Sequence, residues 1–322
     1  MAQKPSNLDR IFVLEMVRVT EAAAIACMDQ IGQGDEKAAD AAAVEAMRGA
    51  LNDINMEGTV VIGEGERDEA PMLYIGEKVG TGKGPRVDIA LDPLEGTTIT
   101  AKAGPNALAV LAISEGGCML NAPDVYMDKI AVGGGFPKGI VDLDKSVAEN
   151  VEAVAAAKGC PASHVMTCVL DRPRHEKIIK ELRAIGCGIT LIPDGDVAGV
   201  IATTNPDTGI DLYMGSGGAP EGVLAAAALR CTGGQIQGRL LFRNDAERGR
   251  ARRWGIEDLD RKYDLEDLAS GDVIFAATGV TDGSLLEGVH RRGEMITSHS
   301  VVMRSATGTI RWVKGEHGAN GK

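Results

Sequence analysis

Residues 88–98 read Asp-Ile-Ala-Leu-Asp-Pro-Leu-Glu-Gly-Thr-Thr, and this segment decides which side chains the fold delivers to one strand end. Its apolar start predicts a strand that ends at Asp92, and Glu95 follows three residues later. Pro93 fixes φ and stiffens the exit from the strand. Carboxylates held this close suit hard divalent cations, which bind oxygen ligands. The segment leaves one alternative open, a strand–turn–helix corner with a capping acid.

The glycine and the threonines that follow predict an anion-binding turn. Gly96 has no side chain, so a ligand can approach the backbone closely. If a helix starts here, the N–H groups of residues 96–98 lack helical partners and are available to hold an anion. Acids beside such an anion cradle make chemical sense when divalent cations lie between them and bridge to a phosphate.

The composition is that of an ordinary globular protein, and it excludes several classes of function. The chain has 322 residues, of which 44% are hydrophobic and 25% charged, and its net charge is −12. That charge disfavours binding to nucleic acid or to an anionic membrane. We find neither an apolar signal segment nor a stretch long enough to cross a bilayer. The six cysteines show no C-x-x-C spacing, which predicts reduced thiols and a cytoplasmic location.

Hydrophobic periodicity predicts a mixed α/β fold, an α+β layered sandwich in two subdomains. The elements predicted first along the chain are helices at 6–31, 35–54 and 146–158 and strands at 59–62, 87–91 and 107–114. Those predicted later are strands at 165–170, 188–192, 211–214, 273–277, 289–295, 301–304 and 309–313 and helices at 174–185, 197–203 and 220–229. Strand–helix alternation after residue 160 indicates a second sheet with ligands at its carboxyl edge. We expect a metal-binding, catalytic subdomain over 1–160 and a substrate-binding subdomain over 161–322.

Two further acidic segments belong to the first subdomain. Asp40 stands among alanines on the second predicted helix, where it either faces water or has room for a ligand to approach. The run Gly63-Glu64-Gly65-Glu66-Arg67-Asp68-Glu69 follows an apolar strand, and its acids repel one another unless they are solvated or coordinated. Interleaved glycines are unfavourable on a helical face. We therefore predict that this run coordinates a cation and choose Glu64 over Glu66 as the ligand; an acidic surface loop is the alternative.

Three strand exits in the second subdomain carry charged residues. Arg172-Pro173-Arg174 can hold a phosphate with two guanidinium groups, or it is an ordinary helix start. Pro193-Asp194-Gly195-Asp196 can bind the hydroxyl groups of a polyol, or it forms an Asx turn that caps a helix. Glu221, in a glycine-rich segment, is a metal ligand or an acid that complements the helix dipole. Tyr126 and the basic run Arg248–Arg253 are compatible with ligands but also with an ordinary core and a solvated helix.

Five strings in register closely resemble the class II fructose-1,6-bisphosphatases of the GlpX type. These belong to the lithium-sensitive, metal-dependent sugar and inositol phosphatases. The strings are Val-Ile-Gly-Glu-Gly-Glu, Asp-Glu-Ala-Pro-Met-Leu-Tyr-Ile-Gly-Glu-Lys-Val-Gly, Asp-Pro-Leu-Glu-Gly-Thr, Pro-Asp-Gly-Asp-Val-Ala and Gly-Gly-Ala-Pro-Glu-Gly-Val. The resemblance implies a phosphoric monoester hydrolase with a sugar-phosphatase fold. It also implies two or more Mg²⁺ or Mn²⁺ ions as cofactors.

The resemblance further implies roles for individual residues. The implied metal ligands are Asp40, Glu64, Asp92, Glu95 and Glu221. The implied substrate-binding residues are Glu95, Gly96, Thr97, Tyr126, Arg172, Pro173, Arg174, Asp194, Gly195, Asp196 and Gly218. The expected catalytic residues are Thr97, which orients the attacking water, and Asp68 and Asp40, either of which receives its proton. One departure concerns Lys37, since some relatives carry Gly-Asp-Lys without the inserted Glu36. A shift of one residue rotates a side chain by about 100° around a helix, so the role of Lys37 stays open.

The expected reaction is hydrolysis of the 1-phosphate of fructose 1,6-bisphosphate, which yields fructose 6-phosphate and phosphate in gluconeogenesis and sugar phosphate metabolism. Sedoheptulose 1,7-bisphosphate, alone or in addition, is the alternative substrate, because a few hydroxyl contacts read the length of the sugar. A noncatalytic regulator that binds metals or anions is the alternative of a different class. We also expect a homodimer or homotetramer.

Overall fold

Two units divide the chain in the computed structural model, which describes Leu8, residues 10–65 and residues 72–318. Unit 1 runs up to Met119 and resumes at Ser270, and unit 2 comprises Leu120–Ala269. Each unit has its own sheet and its own apolar core. The mixed α/β class predicted from the sequence is confirmed.

The elements are numbered here along the chain. The helices are α1 (Phe12–Ala26), α2 (Glu36–Asn52), α3 (Thr97–Ala101), α4 (Val147–Lys158), α5 (Glu176–Ile185), α6 (Asp196–Ala202), α7 (Ala219–Thr232), α8 (Asp245–Arg253) and α9 (Leu265–Leu268). The strands are β1 (Glu57–Ile62), β2 (Lys78–Val79), β3 (Arg86–Glu95), β4 (Leu108–Glu115), β5 (Tyr126–Val132), β6 (Met166–Leu170), β7 (Gly188–Ile192), β8 (Leu212–Gly218), β9 (Gln235–Leu241), β10 (Lys262–Asp264), β11 (Val273–Gly279), β12 (His290–Arg292), β13 (Met295–Arg304) and β14 (Thr309–Gly318).

The sheet of unit 1 has the order β12-β13-β11-β4-β3-β1-β2, and β14 pairs with β13. Strands β1 and β3 are parallel, whereas β3, β4, β11 and β13 are joined by antiparallel pairing. Strands β4 and β11 are buried along almost their whole length. That burial explains their nearly unbroken apolar sequences, which lack the alternation of a strand with one face in water.

Helices α1 and α2 pack against this sheet because each presents an apolar stripe. Helix α1 buries Phe12, Met16, Val19 and Ala23, which are three or four residues apart and so share one face. Helix α2 begins after Asp35, whose carboxylate accepts a hydrogen bond from the N–H of Ala38 at 3.0 Å. Helix α2 contacts β3 and α3, the elements that carry the acidic strand end.

The sheet of unit 2 has the order β10-β9-β5-β8-β6-β7. Strand β5 is antiparallel to β8 and β9, and β6 is parallel to β7 and β8. The registered pairing of β6 with β8 covers only two positions, Thr167 opposite Leu212 and Cys168 opposite Tyr213. Their carboxyl ends therefore continue beyond the ladder, which is where parallel sheets bind ligands.

Local sequence signals explain where several helices of unit 2 begin and end. Ser146 and Glu149 form a reciprocal capping box at the start of α4, and Gly159 ends that helix in the left-handed conformation. All six cysteines of the chain are free, which is the state predicted from their spacing. None of the helices in the described residues has the length and apolar character needed to cross a membrane.

The division into units differs from the expected subdomains 1–160 and 161–322. Residue 160 lies inside unit 2, and the residues from Ser270 onward return to unit 1. The reason is strand pairing: β11 pairs with β4, and β13 pairs with β11. A single boundary along the chain cannot describe a sheet whose last strands come from the far end of the sequence.

The secondary-structure prediction was wrong or incomplete at several places, and the short elements β2, β10 and α9 were also missed. The single strand predicted at 289–295 is two strands, because Gly293, with φ 64°, reverses the chain between the end of β12 at Arg292 and the start of β13 at Met295. Strands β5 and β9 were missed, since polar residues interrupt their apolar pattern. The first helix is α1 followed by a 3₁₀ turn at Met28–Gln30, and its expected start at residues 6–7 lies outside the described residues.

Candidate functional site

Two of the expected acids of unit 1 leave the sheet at the same edge. In the parallel pair of β1 and β3, Ile62 lies opposite Ala90. Glu64 and Asp92 each follow two residues later on their own chain. Neighbouring parallel strands are about 4.8 Å apart, so both acids depart from one short stretch of edge. Both residues are half-buried.

A bulge at the end of β3 separates Asp92 from Glu95. Asp92 lies opposite Val110 and Glu95 opposite Leu108, so two residues of β3 stand against one of β4. Pro93 sits in the bulge, where its missing N–H costs no ladder hydrogen bond. The Asp92 carboxylate accepts a hydrogen bond from the N–H of Leu94 at 3.0 Å, which holds its side chain at the strand end.

Gly96 turns the chain from β3 into the short helix α3. Its φ is 92°, a left-handed conformation that other residues adopt only with strain. A Cβ at this position would also lie 3.1 Å from Cδ1 of Ile99. The turn places Thr97 at the first position of α3, directly after Glu95 and Gly96, as expected from the strand–turn–helix pattern.

Asp40 lies in the second turn of α2, the helix that packs on β3 and α3. Burial raises the pKa of its carboxyl above the ordinary value. Burial and the nearby Asp40 charge raise the pKa of the Cys27 thiol to about 12, so this thiol is unreactive. Lys37 is exposed on the same helix.

Glu64 stands on a backbone that a neighbouring segment holds in place. Its N–H donates to the carbonyl oxygen of Leu73 at 3.1 Å, and the N–H of Ile75 donates to Gly65 at 2.9 Å. A Cβ at Gly63 would lie 2.1 Å from the Leu73 carbonyl, so only glycine fits this close approach. Glu66 and Asp68, the latter an expected catalytic residue, lie outside the described residues.

The predicted metal cluster is not assembled within the part of the chain that the structure describes. Over Leu8, residues 10–65 and residues 72–318, no three His, Cys, Asp or Glu side chains are grouped so that they could hold a metal ion. Asp40, Glu64, Asp92 and Glu95 belong to unit 1, and Glu221 belongs to unit 2. The metal ligands therefore remain a prediction.

Unit 2 contains a polar cavity of about 360 Å³ at the ends of β5, β6 and β8. That volume is at the lower end of the range for small-molecule pockets. The expected residues that line it are Tyr126, Arg172, Arg174, Asp194, Asp196, Gly218 and Glu221. Pro173 and Gly195 instead shape the adjoining turns: Pro173 starts a 3₁₀ turn, and Gly195, with φ 82°, precedes α6.

Two carboxylates pack directly against the backbone of β8, which explains why Gly217 and Gly218 have no side chain. A Cβ at Gly217 would lie 2.0 Å from Oδ2 of Asp196, and one at Gly218 would lie 1.9 Å from Oε2 of Glu221. Oε2 of Glu221 is buried without a hydrogen-bond partner among the described residues. Burial, reinforced by the Asp196 charge, raises the pKa of Glu221 to about 7. A buried, unpaired carboxylate oxygen is a feature that a bound cation would stabilise.

Lys129 holds two residues of the cavity lining, and the sequence analysis did not single it out. Its side chain is 1% exposed and forms a buried ion pair with Asp196. The ammonium group also donates to the carbonyl oxygen of Gly218 at 2.8 Å. A lysine in the middle of an apolar strand was the available signal, but β5 itself was not predicted.

His175 and Arg174 join the carboxyl ends of β6 and β8 beyond their ladder. Nδ1 of His175 donates to the Leu170 carbonyl at 2.8 Å, and Nε2 accepts from the N–H of Ser216 at 2.8 Å. Arg174 donates to the Ser216 carbonyl from Nε and Nη2 at 3.1 and 2.8 Å. Arg172 pairs with Asp194 at 3.6 Å. Arg174 is therefore fixed to β8, and Arg172 contacts the turn that follows β7.

Asp124 and Arg243 also line the cavity and were not predicted. Arg243 follows β9, a strand that the sequence analysis missed. The basic run Arg248–Arg253 lies on α8, where Arg252 and Arg253 are exposed. The cavity thus combines arginines, which bind anions, with carboxylates that can accept hydrogen bonds from hydroxyl groups.

The chain matches the family model described as "Bacterial fructose-1,6-bisphosphatase, glpX-encoded" over residues 10–317. It is 49% identical to "Fructose-1,6-bisphosphatase 1 class 2" of Escherichia coli K12, over 96% of this chain and 95% of that protein. The "Fructose-1,6-bisphosphatase class 2" proteins of Escherichia coli O6:H1 and Shigella flexneri show the same identity and coverage.

Two solved structures are also similar. One is the extragenic suppressor protein SuhB of Bartonella henselae, at 15% identity and a TM-score of 0.33, over 61% of this chain and 74% of that chain. The other is the inositol monophosphatase of Anabaena (Nostoc) sp. PCC 7120, at 17% identity and a TM-score of 0.31, over 60% of this chain and 71% of that chain. By its match to the family model and its identity to curated relatives, the chain belongs to the glpX-encoded bacterial fructose-1,6-bisphosphatase family.

Proposed function

We propose that this protein hydrolyses the 1-phosphate of fructose 1,6-bisphosphate, releasing fructose 6-phosphate and inorganic phosphate. The observation that carries the proposal is family membership over nearly the whole chain, with 49% identity to the class 2 enzyme of Escherichia coli K12. The chemistry of the cavity in unit 2 supports it, because arginines and carboxylates together suit a ligand with both phosphate and hydroxyl groups.

Divalent cations are part of the proposal, with Mg²⁺ and Mn²⁺ as the candidates. The donor set consists of carboxylates, which suits hard cations, and the buried, unpaired Oε2 of Glu221 fits a cation. In unit 1, Asp40, Glu64, Asp92 and Glu95 would hold such ions; Glu221 is the ligand proposed in unit 2. When bound, the ions would supply Lewis-acid chemistry that neutralises phosphate charge and lowers the pKa of water.

The protein's own residues would perform the remaining steps. The Thr97 hydroxyl orients a water so that its oxygen forms a bond to phosphorus while the bond from phosphorus to the sugar oxygen breaks. The water proton passes through that hydroxyl to Asp40 or Asp68, and the leaving oxygen takes a proton from solvent. Arg172 and Arg174 bind the second phosphate, and Asp194 and Asp196 accept hydrogen bonds from the sugar hydroxyls.

The test is phosphate release by the purified protein from a panel of fructose 1,6-bisphosphate, sedoheptulose 1,7-bisphosphate, fructose 6-phosphate and inositol monophosphate. We expect turnover of fructose 1,6-bisphosphate with equal amounts of phosphate and fructose 6-phosphate formed. A chelator should abolish that turnover, and added Mg²⁺ or Mn²⁺ should restore it. Equal or faster turnover of the sedoheptulose compound would assign a broader specificity, and no turnover of any compound would leave only a binding role.

A cytoplasmic location and a homodimeric or homotetrameric state complete the proposal. The absence of C-x-x-C spacing and the free state of all six cysteines support a reducing compartment. Light scattering coupled to gel filtration would measure the mass of the assembly, and a mass of one chain would contradict the expected oligomer.

A further inference from the structure

Arg243 lines the same cavity as Arg172 and Arg174, although it comes from a different part of unit 2. It stands two residues after β9, in the turn that leads into α8. Strand β9 pairs with β5 so that Leu241 lies opposite Tyr126. This register carries the chain directly past Tyr126 and places Arg243 beside a residue expected to bind substrate.

Two guanidinium groups contact the ring of Tyr126. Cζ of Arg174 lies 4.9 Å from the ring centroid, and Cζ of Arg243 lies 5.3 Å from it. Both distances are within the range of a cation–π contact. The two guanidinium groups repel each other at this ring; the Glu247 carboxylate offsets part of that repulsion, and a bound anion would offset the rest.

Arg243 is held rigidly by a buried acid. Glu247 is 2% exposed, and its carboxylate accepts hydrogen bonds from the backbone N–H and Nε of Arg243, both at 2.7 Å. The Glu247 N–H in turn is bound by the Asn244 side chain at 3.0 Å. Hydrogen bonding to Glu247 raises the pKa of Arg243, so the guanidinium stays charged. The Arg243 side chain is 62% exposed, but these hydrogen bonds restrict it, so part of its side-chain entropy is already lost before any ligand binds.

The two guanidinium groups are engaged in the same way. Arg174 uses Nε and Nη2 on the Ser216 carbonyl, and Arg243 uses Nε and Nη2 on Glu247. Within the described residues, the Nη1 group of each arginine has no hydrogen-bond partner. Each therefore keeps one donating nitrogen for a ligand, and a hydrogen bond from a charged guanidinium to a phosphate oxygen is stronger than one between neutral groups.

We propose that Arg243 is a specificity-determining residue, which binds, together with Arg174, the phosphate that is not hydrolysed. This inference rests on the proposed function and deepens it. Arg243 makes the site select sugar bisphosphates over sugar monophosphates, because a substrate without the second phosphate leaves its guanidinium without an anion. The family motifs quoted above do not include this residue.

The experiment compares two substrates that differ only in the second phosphate, fructose 1,6-bisphosphate and fructose 1-phosphate. For Arg243→Met we expect KM for the bisphosphate to rise about tenfold or more, with kcat within about threefold. The kcat/KM for fructose 1-phosphate should stay within about twofold of the wild-type value. Arg243→Lys keeps the charge without the fork and should recover part of the bisphosphate preference.

Arg252→Gln is the matched control, because Arg252 is exposed on α8 outside the cavity lining. It should leave both substrates unaffected. An unchanged KM for the bisphosphate in Arg243→Met would overturn the inference, as would an equal loss with both substrates, which indicates a structural role. Urea unfolding of each variant identifies a loss of fold. If Arg243→Met does not fold, the bisphosphate preference of Arg243→Lys tests the inference instead.

The inference can fail separately from the proposed function. If the wild-type protein hydrolyses no sugar phosphate, the proposed function fails. Calorimetric binding of fructose 6-phosphate, which carries only the second phosphate, then still tests Arg243. We expect about tenfold weaker binding by Arg243→Met than by the wild-type protein and by Arg252→Gln. Equal affinity in all three proteins would overturn the assignment.

Discussion

The strand end of unit 1 and the cavity of unit 2 have similar backbone structures but differently charged side chains. In each, a strand ends at or next to a glycine that leads into a helix, as at Glu95–Thr97 before α3 in unit 1 and at Gly218 before α7 in unit 2. The residues expected to function in unit 1 are carboxylates and a threonine. In unit 2 the carboxylates are interleaved with Lys129 and arginines. The first set suits cations, and the second suits a ligand with phosphate and hydroxyl groups.

The end of a strand fixes where a side chain lies, but not which chemical groups surround it. Positions are supplied by the glycines and prolines, which allow close approach and sharp turns. Chemistry is supplied by side chains that nearby strands bring to the same edge. The buried pair of Lys129 and Asp196 shows the difference, because it joins residues that are far apart in the sequence.

The largest expected effect is at the acidic strand end of unit 1. Asp92→Asn removes a charge while keeping the size, so kcat should fall about a thousandfold if Asp92 holds a cation that stabilises the transition state. Phosphate release measures the effect. The control is Asp88→Asn on the same strand, since Asp88 accepts hydrogen bonds from the backbone N–H groups of Gly117 and Cys118 and is not among the expected metal ligands. Comparable losses in both variants would contradict a special role for Asp92.

The buried ammonium group of Lys129 in unit 2 should contribute to the stability of the fold. Lys129→Met leaves Asp196 buried without its partner, which should lower the free energy of unfolding by about 3 kcal/mol. Urea denaturation measures the change. Lys262→Met is the control: Lys262 pairs with Asp142 and Asp144, but it is 27% exposed, so its loss should cost about 1 kcal/mol or less. Similar losses for both lysines would refute the contrast between buried and exposed pairs.

Substitution of Thr97 distinguishes an effect on the chemical step from an effect on substrate binding. Thr97→Ala should lower kcat about a hundredfold and leave KM within about threefold, because the role proposed for the hydroxyl is to orient the attacking water rather than to bind the sugar. Thr97→Ser keeps the hydroxyl and should retain most activity, and Thr98→Ala serves as the neighbouring control. Full turnover in Thr97→Ala would exclude this residue from the chemistry.

The smallest expected effect is a pH dependence from unit 2. Burial, with a smaller contribution from Arg174, lowers the pKa of His175 below its ordinary value of 6.5. As pH falls through 6.5 the unfolded chain takes up a proton that the folded protein does not, so stability is full above this range and decreases below it. The urea midpoint should fall between about pH 8 and about pH 5.5, and it should fall less in His175→Gln. An equal decrease in both proteins would show that other groups dominate.

Much of the candidate site was predictable because its signals are local. The apolar run before Asp92 predicted a strand and Gly96 predicted a turn, and the structure contains both. The same holds for helix starts at Asp35 and Ser146, whose side chains cap the next turn. The bulge between Asp92 and Glu95, through which β3 continues to Glu95, was not predicted. Asp68 lies outside the described residues, and the metal ligands remain predictions for the reasons given above.

The amino-acid sequence by itself determined which residues end strands, which glycines turn the chain and which family the motifs resemble, since each depends on neighbours along the chain. Only the tertiary structure decided that β11 and β13 complete the sheet of unit 1. It alone decided that Lys129 pairs with Asp196 and that Arg243 reaches Tyr126. The physical reason is that strand pairing and burial join residues distant in the sequence, and their energies depend on partners that no local pattern contains.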